Sequence, residues 1–117
     1  MIRLNGKKIF LACGHTDMRK QINGLMELVS GSFGMDAFEQ SLYVFCNRQR
    51  DRIKILSWDE NGFWLHFKRL EKGRFNWPKV GEDRTMVLTD EELEVLLESS
   101  KLTQKLRRNQ VIERAIF

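Results

Sequence analysis

The chain has 117 residues, 42% of them hydrophobic, and 20 Lys and Arg against 16 Asp and Glu give a net charge of +4. That size suits one domain, 1–117, and is too small for two independent cores. The apolar run at 9–13 is too short for a signal segment or membrane span, and Cys13 and Cys46 form no CxxC pattern; a cytoplasmic protein without disulfide, metal or other cofactor is expected.

In chain order, residues 8–13 read as a strand ended by Gly14. Thr16 or Asp17 then offers an N-cap for a helix to about Val29, with Met18, Ile22, Leu25 and Val29 on one stripe. Gly24 inside that helix costs about 1 kcal/mol relative to Ala, which suggests close approach of its backbone to the sheet. Arg19 and Lys20 fall in the first turn, where the helix dipole disfavours cations unless Asp17 or a bound anion offsets it. A helical turn near 36–40 and an apolar strand at 41–46 follow, the strand belonging inside the sheet and pairing with 52–58.

The stretch 48–78 contains all three tryptophans and eight of the twenty Lys and Arg residues. Runs at 51–58 and 63–70 flank Glu60-Asn61-Gly62 and predict a β-hairpin. A two-residue Asn-Gly turn would set Lys54 opposite Arg69 and mix apolar with charged residues on both faces. The preferred reading is therefore a three-residue loop with Gly62 at a bulge, pairing Ile55 with Phe67, Ser57 with Leu65 and Trp58 with Trp64. It puts Ile53, Ile55, Phe63, Leu65 and Phe67 on a core face. The opposite face carries Arg52, Lys54, Leu56, Trp58, Trp64, His66 and Lys68, cations interleaved with rings as a phosphate backbone and bases would require. The competing reading lays Leu56 and the tryptophans beneath a helix, with basic stems around its rim.

Gly73 turns the chain, and 74–77 extends to Pro78, the single proline, which blocks a central strand. A short strand at 85–88 precedes a helix announced by the capping box Thr89-x-x-Glu92, with Leu93, Leu96 and Leu97 buried and an acidic outer face. Residues 99–117 form a basic C-terminal helix or arm beyond a core of about 8–98. The whole is an α+β domain: a mostly antiparallel sheet built on a central hairpin, packed by an N-terminal helix and C-terminal helices.

Catalytic chemistry is not signalled. His15 and His66 have no metal spacing, nothing local activates a cysteine, and Asp17, Asp36, Asp51 and Asp59 occupy cap and turn positions.

Thr16-Asp17-Met18-Arg19-Lys20 with Gly24-Leu25, Val44-Phe45, the run from Asp51 to Leu56, Lys68-Arg69-Leu70-Glu71, Gly73-Arg74-Phe75-x-Trp77-Pro78, and Leu88-Thr89 with Leu93, Leu96 and Leu97 together cover about residues 8–98. In order and spacing the chain resembles the TnpB accessory proteins, second open reading frame products of bacterial insertion sequences of the IS66 group. The resemblance implies a non-catalytic helper in transposition of the mobile element, acting beside a larger transposase that carries the acidic catalytic residues. Joined to the basic hairpin, it suggests DNA binding at the element's ends by Arg19, Lys20, Arg52, Lys54, Lys68, Arg69, Arg74 and Trp77. The alternative is a protein-interaction module that docks the transposase through exposed tryptophans or the acidic helix, without touching DNA.

Overall fold

The computed structural model describes residues 6–98. The basic helix or arm expected at 99–117 lies outside them. Five strands, β1 (Lys8–Ala12), β2 (Ser41–Cys46), β3 (Arg52–Asp59), β4 (Gly62–Arg69) and β5 (Thr85–Leu88), form one sheet in the order β4-β3-β2-β1-β5. All pairings are antiparallel except β1 with β2, whose crossover carries helix α1 (Ile22–Glu27) and a π-helical turn (Leu28–Ser32). Helix α2 (Asp90–Glu98) follows β5. The α+β reading holds, but the hairpin occupies one end of the sheet, and β2 is the central strand.

Both faces of the sheet are covered, and β2 shows why its sequence is apolar throughout. Its alternate residues Leu42, Val44 and Cys46 join Ile9, Leu11, Ile53, Ile55, Phe75, Leu93 and Leu96 in a core under α2. Tyr43 and Phe45 point the other way, packing with Leu25, Val29 and Leu56 under α1. With no open face, every position of β2 is buried.

The start of α2 is as the sequence predicts. The Thr89 backbone N–H donates to Glu92 Oε1 at 2.8 Å and the Glu92 N–H donates to Thr89 Oγ1 at 3.1 Å, closing the capping box. The first helix departs from expectation. It begins at Ile22, and its N-cap residue, Gln21, makes no side-chain cap. Asp17 instead accepts the Arg19 N–H at 2.9 Å and grips the Arg19 guanidinium, a local bond that competes with helix initiation. A Cβ at Gly24 would come within 3.2 Å of the Lys20 stem, so the close approach there is to the preceding loop and not to the sheet.

The hairpin register also differs. Leu56 pairs with Leu65, Ser57 with Trp64, Trp58 with Phe63 and Asp59 with Gly62. The loop is therefore the two residues Glu60-Asn61, with Glu60 at φ 50°. The three-residue loop and its pairings, chosen to gather apolar residues on one face, are thus corrected. The physical reason is the two-sided core: β3 must supply Ile53 and Ile55 to one layer and Leu56 to the other, so separating apolar from charged residues across the ribbon is not what selects its register. One consequence is a like-charge pair, Arg52 opposite Arg69. Each is balanced locally, Arg52 by Asp51 at 3.4 Å and Arg69 by Glu71 at 2.9 Å.

Candidate nucleic-acid interface

The register decides where the hairpin's cations go. Lys54, Arg52 and Arg69 lie on the α1 side with Leu56, Phe63, Leu65 and Phe67, while Lys68 lies on the α2 side with Trp64 and His66. The open cationic-aromatic face expected from the sequence does not form. Trp58 is half-buried in an aromatic cluster with Phe38 and Phe63, whereas Trp64 stays 58% exposed, stacked on His66, its indole N–H donating to Asp59.

Lys54 is only 6% exposed. Its ammonium donates to the carbonyls of Met18 and Lys20, each at 2.8 Å, and to Gln21 Oε1 at 3.5 Å, so its three hydrogens are shared among three acceptors of the loop before α1. Desolvation pulls its pKa below the ordinary lysine value, with Asp17 opposing. Lys54 is thus a strut beneath that loop. Trp77 is structural as well: it is buried in the α2-side core and its indole N–H donates to the Ala12 carbonyl at 2.9 Å. Lys68 donates to the Leu97 carbonyl at the end of α2.

What the fold does bring together is a cleft of about 700 Å³ between residues 17–21 and the hairpin, lined by Arg19, Arg52, Lys54, Asn47, Gln49 and Phe67 among others. A smaller hollow of about 450 Å³ adjoins it, sharing Arg19 and Gln49 and adding Arg48 and His15. Arg19 is 91% exposed at the shared lip, paired with Asp17 at 2.7 Å. Among the described residues Arg48 makes no ion pair. Arg69, opposite Arg52, lies beside the cleft, but Lys20 lines a different hollow with Arg84, and Arg74 is exposed on the segment after the hairpin.

A family model described as IS66 Orf2 like protein matches residues 7–107. The chain belongs to this family. Among curated proteins it is 31% identical over 103 residues to the uncharacterized protein y4jC of Sinorhizobium fredii, covering 88% of this chain and 87% of that one. It is 32% identical over 90 residues to y4hO of the same organism, covering 77% of each. No solved structure matches. As an IS66 Orf2-like protein the chain is an accessory of insertion-sequence transposition and works with that machinery.

In this IS66 Orf2-like protein the cleft owes its shape to a residue the sequence reading passed over. Asn47 is 6% exposed; its carbonyl oxygen accepts the N–H groups of both Asp51 and Arg52 at 3.0 Å, and its amide donates to Asp51 Oδ1 at 2.7 Å and Gln49 at 3.3 Å. These bonds fold the β2–β3 connection, with Arg50 at φ 61°, so that Arg48 and Gln49 project beside Arg19. The available signal was an Asn closing one strand five residues before the next begins.

The carboxyl and thiol groups around the cleft and core shift in opposite directions. Arg19's side chain and backbone N–H hold the Asp17 carboxyl well below the usual carboxylate range. Burial pushes the Cys46 thiol up to about 12, and burial with Asp83 raises Cys13. Neither cysteine has thiolate character at neutral pH. Among the described residues no group of His, Cys, Asp and Glu could hold a metal ion, and no helix is long and apolar enough to cross a membrane.

Proposed function

We propose that this transposition accessory protein binds DNA of its element through phosphate contacts made by the cleft, with Arg19, Arg48 and Arg52 as direct contacts and Lys54 as the strut that positions Arg19. The carrying observation is that these four cations, from three chain segments, line two adjoining hollows that share Arg19: Arg52 and Lys54 with Phe67 and Asn47 in the larger, Arg48 in the smaller, and Gln49 in both. The ion pairs do not oppose this: the exposed Asp17 pair contributes roughly 0–1 kcal/mol and can exchange for phosphate, and the partly buried Asp51 pair is long, at 3.4 Å. Arg69 contributes from the rim. Lys68 and Trp77 are left out, the first because it lies on the other face and the second because it is buried.

The test is a titration of duplex DNA from the element's ends against scrambled duplex over a salt series. Affinity falls steeply with salt, and Arg48→Ala lowers the slope of log affinity against log salt by about 1, the signature of one lost phosphate contact. Lys68→Ala leaves the slope unchanged. Salt-independent binding, or equal losses from both substitutions, excludes the cleft.

The second reading, docking to the transposase, is favoured by a different observation: Asp90, Glu91 and Glu94 are exposed on α2, the same side of the sheet as the exposed Trp64. Capture of the transposase after nuclease digestion, lost in Trp64→Ala and retained in Arg48→Ala, identifies it.

A further inference from the structure

The two edges of the sheet are not alike. β5 has four residues, whereas β4 has eight and presents Trp64 and Phe67 at 58% and 55% exposure. Soluble proteins ordinarily shorten, charge or cover such an edge, because its open N–H and C=O groups are a template for another strand. In a hairpin with a two-residue loop the flanking pair, Asp59 and Gly62, faces inward, and alternation turns the backbone groups of Phe63, Leu65, Phe67 and Arg69 outward. The Leu70 N–H, which donates to the Asp51 carbonyl at 2.8 Å, confirms that parity. None of those four outward residues has a backbone partner among the described residues.

We propose that β4 pairs antiparallel with β4 of a second copy of this chain, about a twofold axis perpendicular to the sheet, joining two five-stranded sheets into one. The strand is complementary to itself in that arrangement. Centred on Leu65, the pairing sets Leu65 against Leu65, Phe63 against Phe67 and Trp64 against His66, so rings meet rings on both faces and the outward hydrogen-bonding residues face one another. Charge selects the same direction. The acidic turn Asp59-Glu60 precedes β4 and the basic pair Lys68-Arg69 ends it, so antiparallel pairing lays each acidic turn beside the other copy's basic end, and parallel pairing would stack like on like. The assembly does not depend on DNA. It would place both clefts on one side of the joined sheet, because Leu65 and Phe67, which line the cleft, share the face that the axis preserves.

The full-length chain should sediment as a concentration-dependent dimer. Trp64→Lys and Phe67→Lys, both at exposed positions, each raise the dissociation constant at least about tenfold. Arg69→Glu weakens the dimer, and adding Glu60→Lys restores it. In hydrogen exchange the Phe63, Leu65 and Phe67 amides are protected in the dimer and released on dilution, a readout that needs no variant. A monomer at all concentrations overturns the proposal. So does a dimer indifferent to both Lys substitutions, and so does protection of those amides in a monomer, which would assign the edge to the chain's own terminal residues.

Discussion

β3 and β4 are the two halves of one hairpin, equal in length and both alternating, yet five consecutive residues of β3 are buried and none of β4 is. Composition does not explain the difference. Lys54 is hidden on β3 while Phe67, its cross-strand partner, stands 55% exposed on β4. Burial follows from what lies beneath each strand: β3 sits between two cores and next to β2, and β4 is the last strand. A charged residue can occupy the interior when loop carbonyls satisfy its ammonium, and an aromatic ring can remain in water when no element reaches it.

Truncation breaks this comparison most sharply. In urea unfolding of the monomer, at concentrations below dimer formation, Ile55→Ala on β3 costs about 2–5 kcal/mol, as expected for a cavity in a packed core, while Phe67→Ala on β4 stays within roughly 0.5 kcal/mol. Equal costs in the monomer would mean that the chain itself covers the edge strand. Lys54→Met comes next, at about 1–3 kcal/mol, because it strips the Met18 and Lys20 carbonyls of their donor while keeping the stem. Faster exchange of amides near residues 17–21, without global unfolding, would locate that loss in the loop.

The two capping sites extend the contrast at smaller scale. Thr89→Ala, which opens a closed capping box, costs about 1 kcal/mol. Asp17 caps no helix; its carboxylate is held chiefly by its neighbour Arg19. Its folded pKa is depressed, so its contribution is present above the ordinary value of 3.8 and is lost as pH falls toward the folded pKa. Carboxyl titration by NMR should place its midpoint below 3.8 and show Arg19 released over the same interval. A normal midpoint would mean that the pair is not formed in solution.

These contrasts also separate what the sequence could reveal from what it could not. The apolar run of β2, its pairing with β3, the short strand β5 and the capping box of α2 were all legible, because each is set by local composition or by bonds spanning a few residues. The family, too, was readable from the order of short motifs. The register of the hairpin was not, because the choice between Glu60-Asn61 and a loop including Gly62 turned on how many faces of the sheet are covered, a property of α1 and α2 together.

The candidate site divides in the same way. Sequence alone determined that residues 42–79 carry nine cations against four anions, and that Arg19 and Lys20 follow Asp17. Tertiary structure decided that Lys54 turns inward to hold a loop, that Lys68 leaves by the opposite face, and that Arg52 and Arg48 line two adjoining hollows with Arg19 at their shared lip. The physical reason is the two-residue period of a strand: a shift of one position in the pairing exchanges its faces, and only the packed layers on either side select one register.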